Sequence, residues 1–326
     1  MSTTTATFQI RDFAPSDQPQ VVALLCRVLD RPGPHVHDDG YFQWKHLDNP
    51  FGPSIMYVAE TDGRIIGFRA IMRWRLEAEG RVIEAGRPVD TVTDPSWRRQ
   101  GVFSSLTKAA LGRLGELGIS VLFNTPNEQS LPGYLKMGWS PICRATRDVL
   151  IGGPGILGRV VLARMHRNET SRGTSSDESG DASDPWVHVA AALQQGRIPG
   201  TQVVKDQAYL RWRYSRHPWF RYRVAHHRDA AAVVRVTRGH RLNMAIIAES
   251  TAVRPEDWRC LLVSVATQTA CPIVQLVHTR PGEGPGRAGG WLHLVRPGPM
   301  IVARSEQRRV LDPGAWSLTT GELEFF

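Results

Sequence analysis

Two stretches of this chain read almost alike at a separation of 168 residues. Tyr41-Phe-Gln-Trp44-Lys45-His-Leu-Asp-Asn-Pro50-Phe51 is answered by Tyr209-Leu-Arg-Trp212-Arg213-Tyr-Ser-Arg-His-Pro218-Trp219. Shortly after each comes an alternating pair of segments, Tyr57–Phe68 and Arg223–Val234, at nearly the same spacing. A repeated signature at one offset predicts a tandem duplication of a single folding unit. The 326 residues leave room for two such units. Residues 168–185 are nearly free of apolar side chains and cannot bury enough surface to offset their ordering entropy. They therefore predict a flexible linker between a unit at 1–167 and a second at 186–326.

Hydrophobic residues make up 41% and charged residues 22%, as in ordinary globular chains. The N-terminus has neither the basic start nor the apolar stretch of a signal peptide, and no apolar run approaches the ~20 residues of a membrane span. Cys26, Cys143, Cys260 and Cys271 are scattered without a C-x-x-C pair, which predicts reduced thiols of a cytoplasmic protein and no metal site. The net charge of +9 comes mostly from residues 186–326. That half could meet an anionic partner, but without a dense basic run nucleic acid is not expected.

The apolar spacing predicts helices at Gln18–Leu29 and Asp39–Leu47, the latter ended by Asn49-Pro50. Strands follow at Ile55–Glu60 and Arg64–Trp74 around the Asp62-Gly63 turn, then at Arg81–Gly86 and Val89–Thr93. A helix over Ser104–Leu117, a buried strand over Ile119–Phe123, a short helix over Gln129–Met137 and strands within Trp139–Leu150 complete the first half. The predicted class is α/β (α+β type), with a mixed, mostly antiparallel sheet flanked by helices and duplicated in tandem. Trp44 and Trp212, beside their prolines, are predicted core anchors.

The chemistry concentrates in residues 89–139. A strand ending in Val92-Thr93-Asp94-Pro95 leads into Arg98-Arg99-Gln100-Gly101-Val102-Phe103-Ser104, which opens an amphipathic helix. Backbone N–H groups at a helix start, reinforced by guanidinium groups, suit a phosphate or pyrophosphate. A second strand and a helix bearing Asn127-x-x-Ser130-x-x-x-Tyr134-x-x-x-Gly138-Trp139 follow. In this order the motifs resemble those of the GCN5-related N-acetyltransferase (GNAT) superfamily. The resemblance implies that backbone N–H groups from Gln100 to Ser104, with Arg98 and Arg99, hold the pyrophosphate of acetyl-CoA as cosubstrate. It further implies that Val92 and Thr93 pair with the pantetheine arm, that Asn127 belongs to the cofactor-binding set, and that Tyr134 protonates the departing thiolate. Phe103 departs from the family's usual small residue; a side chain turned into the core would accommodate it.

The second half lacks these signatures. Arg241–Glu249 runs into a helix start at Pro255-Glu256-Asp257, whose carboxylates would repel a pyrophosphate. After Pro272–Thr279 comes a glycine-rich loop, Gly282–Gly290, without the Asn…Tyr helix. This half is predicted to be a degenerate GNAT-like copy with a structural, substrate-shaping or dimerising role, and a homodimer stays open.

The implied reaction is attack of a small-molecule or peptide amine on the thioester, and the amine must be neutral. Deprotonating a lysine-like amine at pH 7 costs roughly 4.6 kcal/mol, an α-amine about 1. Asp90, Glu84, Glu60 and the cluster His35-Val-His37-Asp38-Asp39 are candidate bases; as a metal site that cluster is a weak motif. Transfer from an aminoacyl-tRNA and non-catalytic CoA binding are the competing readings.

Overall fold

The structure, a computed structural model, describes residues 7–30, 32–33, 35–170, 184–195, 200–239, 242–280, 282, 284–286, 288–312 and 314–323. The first half runs β1 (Gln9–Asp12), α1 (Gln18–Leu29), α2 (Asp39–Phe42), β2 (Ile55–Thr61), β3 (Arg64–Ala78), β4 (Arg81–Thr93), α3 (Val102–Gly112), β5 (Val121–Asn124), α4 (Leu131–Lys136), β6 (Ser140–Gly152) and α5 (Pro154–Thr170). The second runs α6 (Pro185–Gln195), β7 (Thr201–Val203), α7 (Gln207–Leu210), β8 (Tyr222–His227), β9 (Ala230–Thr237), β10 (Met244–Ser250), α8 (Pro255–Thr269), β11 (Ile273–His278), β12 (Trp291–Ser305), β13 (Trp316–Ser317) and α9 (Thr320–Leu323). The linker expected at 168–185 falls largely outside the described residues.

All of these strands join one mixed, mostly antiparallel sheet, as the class prediction required. Its main path is β1-β2-β3-β4-β5-β12-β6-β11-β10-β9-β8. Each half contains one parallel pair bridged by a helix, β4–α3–β5 and β10–α8–β11. What the sequence did not reveal is the exchange at the centre. β12 lies between β5 and β6, while β6 lies between β12 and β11. Each half thus completes its sheet with a long strand from the other, and β6 and β12 pair from Trp291↔Gly152 to Ala303↔Ser140.

The repeat is visible atom by atom. Asp38 caps α2 by accepting from Tyr41 N at 2.7 Å, and Asp206 caps α7 by accepting from Tyr209 N at 2.8 Å. Both helices continue as a single π-turn, Gln43–Leu47 and Arg211–Ser215. The extra residue swings Trp44 and Trp212 towards each other. Their rings stack at 5.1 Å, and each indole N–H donates to the other's backbone carbonyl, both at 2.8 Å. Two buried donors and two buried acceptors are satisfied reciprocally. The predicted anchors are therefore anchors to one another, within a core spanning both halves through Tyr41, Trp74, Phe123, Tyr209 and Trp316.

Other boundaries moved for local reasons. Arg81–Gly86 and Val89–Thr93 form a single strand, β4, because Arg87 and Pro88 continue the ladder opposite Met72 and Ile71; a bulge follows at Asp90 (φ 46°). The helix predicted at Ser104–Leu117 begins at Val102 and stops at Gly112, where Gly112 and Gly115 favour turns over helix. Trp139–Leu150 yields one strand, β6.

Replacing either tryptophan by Phe removes one N–H and strands a buried carbonyl. Each change is expected to destabilise the chain by about 1–3 kcal/mol in urea unfolding. The double variant should fall short of the sum of the two, because the pair shares both bonds and the stacking.

Candidate functional site

The sequence places a glycine where two surfaces meet. A Cβ on Gly67 of β3 would lie 2.6 Å from Val102 Cγ1, so only glycine allows the start of α3 to seat against the sheet. Val102 is buried, and the turn before it is tight. Asp94, nearly buried, accepts from Ser96 N (3.0 Å) and Ser96 Oγ (2.7 Å) and pairs with Arg27 (2.9 Å) and Arg64 (2.7 Å). The Ser96 hydroxyl first, and then the two arginines, hold its carboxyl below the usual range. Gln100 Nε2 closes the turn on Ser96 O at 3.0 Å.

Arg99 (φ 63°) and Gly101 (φ 87°) are left-handed, and Gly101 is the N-cap of α3. Having no side chain, it leaves the first-turn N–H groups uncapped. Arg98, Arg99, Gln100, Gly101, Phe103 and Ser104 are all exposed around them. Dipole, free donors and two exposed arginines thus occur together at one solvent-facing turn.

Beside that spot the sheet opens. β4 and β5 pair only at Ala85↔Val121 and Gly86↔Leu122, so beyond Gly86 the edge of β4 facing β5 is released. Asp94 N–H donates to Ile66 O (2.8 Å) on the β3 side; strand alternation therefore turns the N–H and C=O of Thr93, and not those of Val92, to the open side. The Val92 side chain is buried against α1.

Across the opening, α4 carries Tyr134, whose hydroxyl oxygen accepts from Asn124 Nδ2 at 2.7 Å. Its ring meets Trp139 edge-on at 4.9 Å. Asn127 stands at the start of α4, where its Oδ1 accepts from Ser130 N and Ser130 Oγ, both at 2.9 Å.

The bulge in β4 divides polar residues between the two faces. Asp90 and Thr91 both sit opposite Arg69 of β3. On the α1/α2 face, Asp90 pairs with the buried Lys45 (2.7 Å) and His46 (2.9 Å), its own side chain 7% exposed. Burial opposes ionisation of this carboxyl, yet Lys45 and His46 hold it well below the carboxylate range. It is a locked anion. On the α3/α4 face, Arg69 is 1% exposed, with Thr91 Oγ1 at 3.5 Å and the Phe103 ring 5.5 Å from its Cζ. Phe103 is therefore not turned into the core. It is 44% exposed and lies over Arg69, because the inward position at the start of α3 belongs to Val102. A lone charge within Ile65-Ile-Gly-Phe-Arg69-Ala-Ile-Met was the sequence signal that would have singled out Arg69.

The other carboxylates weighed as bases have partners elsewhere. Glu60 pairs with Arg11 (2.6 Å) and Glu84 with Arg75 (2.8 Å). In the histidine cluster, His37 pairs with Asp30, Asp39 accepts from Gln18 (2.9 Å), and His35 stacks on Trp219 at 5.4 Å. That loop fastens one half to the other.

The second half repeats the splay and the bulge with different chemistry. Beyond Ile247 the β10 register shifts, and Glu249 accepts from the Tyr214 hydroxyl at 2.5 Å. Lys205 bridges Glu249 (2.6 Å) and Glu322 (2.7 Å). A cavity of about 320 Å³ opens here, lined by Lys205, Glu249, Trp258, His278 and Thr319 among others. The strand facing this bulge carries Val233 and Val234, and α8 begins with Glu256 and Asp257. A separate groove is edged by Arg221, Arg223 and Arg238, in the half that carries most of the net charge.

Comparison with known proteins agrees with this geometry. Residues 9–142 match the family "Acetyltransferase (GNAT) domain". The match places a GNAT-type domain at residues 9–142, within the first half of the chain. The search of curated proteins returned no match. Among solved structures, a probable N-acyltransferase from Enterococcus faecalis aligns over 94% of this chain and 74% of its own, with TM-score 0.65 and 11% identity. A GCN5-related N-acetyltransferase from Anabaena variabilis aligns over 92% and 73%, with TM-score 0.62 and 12% identity. N-myristoyltransferase of Saccharomyces cerevisiae, solved with myristoyl-CoA, aligns over 91% and 82%, with TM-score 0.52 and 9% identity. These alignments extend the shared fold across both halves. Among the described residues no helix is long and apolar enough to cross a membrane, and no His/Cys/Asp/Glu group could hold a metal.

Burial first, then the Glu322 charge, raises the Glu249 carboxyl to about 7. Its proton is held more tightly in the folded than in the unfolded chain. The resulting stability is fully present below the unfolded value near 4.5 and is lost as pH rises through about 7. The melting temperature should therefore fall between pH 5 and pH 8, by an amount on the order of 3 kcal/mol in stability. Glu249→Gln, which keeps a hydrogen-bonding side chain there, should flatten that slope.

Proposed function

We propose that the chain is an N-acetyltransferase that moves the acetyl group of acetyl-CoA to a primary amine by direct attack. One observation carries this reading: an uncapped helix start ringed by Arg98, Arg99 and Gln100, set beside the released edge of β4. Pyrophosphate would sit on the N–H groups from Gln100 to Ser104, with Arg98 and Arg99 adding charge. The pantetheine arm would run between α3 and α4 and pair with the backbone at Thr93, Val92 supplying the buried side of that strand. Asn127 would border the arm where α4 begins.

The thioester would then lie near the β4 bulge, where a backbone N–H turned to the opening polarises its carbonyl. Tyr134 donates its proton to the leaving sulfur. Its oxygen already accepts from Asn124, which leaves the O–H free to point into the cleft. Asp90 keeps its charge under Lys45 and His46 and serves to hold the bulge in shape, so the acceptor amine loses its proton elsewhere. The boundaries 1–167, 168–185 and 186–326 describe the duplication in sequence, with the second copy shaping the site and not binding the coenzyme.

Calorimetric titration of the full chain with acetyl-CoA should show one site. Gly101→Asp adds strain at positive φ and a negative charge at the anion site, and should weaken binding at least tenfold while circular dichroism is unchanged. Equal affinity for the two proteins would refute the reading. With an amine panel and thiol release as readout, Tyr134→Phe should lower kcat by about 10- to 100-fold and leave acetyl-CoA affinity within about twofold.

A further inference from the structure

Arg69 is an unusual residue for a fold to keep. Its guanidinium is buried within the sheet, and among the described residues no carboxylate pairs with it. Its Nε has no hydrogen-bond partner, and the Thr91 hydroxyl at 3.5 Å is a marginal one. Burial pushes its pKa down, and the neighbouring Tyr134 oxygen is what works against that. A buried cation without a counter-ion costs several kcal/mol. Other buried cations have firmer partners: Lys45 has Asp90, Lys205 has two glutamates, and Arg213 and Arg87 donate to the backbone carbonyls of Gly321 (2.9 and 3.1 Å) and Glu322. Such a cost is retained where an anion visits.

Position decides which anion. Arg69 lies below the exposed turn that would hold the pyrophosphate, roofed by Phe103 and walled by Thr91 and Tyr134. A phosphate has its own donors at the surface. The anion the reaction itself produces at depth is the sulfur.

We infer that Arg69 is the catalytic residue that stabilises the CoA thiolate as it leaves. The inference rests on the acyl-CoA reading above and adds a residue that reading does not require. As the amine nitrogen bonds to the carbonyl carbon, the C–S bond breaks and its electron pair stays on sulfur. The guanidinium, which remains protonated, faces that charge. Tyr134 then gives sulfur its proton and is reprotonated by the one the amine loses, so that amine and thioester become amide and thiol. Phe103, over the guanidinium, keeps water from screening it.

The test compares CoA with desulfo-CoA, which lacks only the sulfur, by calorimetry on the full chain at pH 7.5. The native protein should bind CoA about tenfold more tightly, equivalent to about 1.4 kcal/mol, and the ultraviolet thiolate absorbance of bound CoA should appear at a lower pH than that of free CoA. Arg69→Met should remove both effects while leaving desulfo-CoA affinity unchanged; Arg69→Lys should restore part of them. Equal native affinities, with the thiol of bound CoA ionising at the same pH as that of free CoA, would overturn the role of Arg69 and leave acyl-CoA binding standing. If neither compound binds, the acyl-CoA reading falls and takes this role with it. The native titrations decide even where a variant does not fold.

Discussion

The antiparallel pairing of β6 with β12 is the constraint on which the rest of the molecule depends. Each strand is an edge that its own half cannot cover, and each fills the gap in the other's sheet. A sheet with an unfilled slot exposes two rows of backbone donors and acceptors. Neither half can therefore be a finished domain in isolation, whatever the symmetry of its sequence. The reciprocal Trp44–Trp212 bonds lock the same junction from the helical side. A strand exchange and a side-chain exchange, related by one repeat, reinforce each other.

Much of this was legible in the chain. The 168-residue echo pointed to paired units, and the structure answers it with matched caps, π-turns and indole bonds at the same offset. Helix α1 occupies its predicted residues, since Val21, Leu24 and Leu25 follow helical spacing and are buried. The exchange of β6 and β12 was not legible, because apolar alternation specifies that a strand is half-buried and not which neighbour buries it. The length of β6 carried no signal for the same reason. In the candidate site, motif residues with backbone roles were readable: Gly101 does adopt positive φ, and the turn from Arg98 to Gln100 is exposed. Residues outside the motifs were not. Arg69 and Thr91 meet only because the bulge places both Asp90 and Thr91 opposite one β3 residue, and a bulge leaves little trace in a single sequence.

That bulge also explains why the two halves diverge so unevenly. Both fourth strands retain it, and both aim a carboxylate at the π-turn of the same half: Asp90 at His46, Glu249 at Tyr214. This face is scaffold and is held in common. On the opposite face the copies differ, with Arg69 in one and valines at the facing strand of the other. At the helix start they differ in electrostatic sign, an exposed arginine pair in one and two acidic residues in the other. The copies thus share what keeps the strand bent and differ in what the bend presents.

The second half nevertheless reaches the cleft of the first through the backbone. Val302 of β12 pairs with Asn124, the last residue of β5 and the donor to the Tyr134 hydroxyl. Arg304 on the same strand donates to Met137 O at 3.0 Å, just past the end of α4. From the other side, Arg87 of β4 spans the opening to Thr125 Oγ1 at 2.7 Å while also bonding the Glu322 carbonyl of α9. The width of the gap between β4 and β5 is therefore set by elements that arrive almost two hundred residues later in the chain. The second half opens its own helix α8 on two acidic residues, yet its strand β12 positions Asn124, and through Asn124 the tyrosine at the mouth of the cleft.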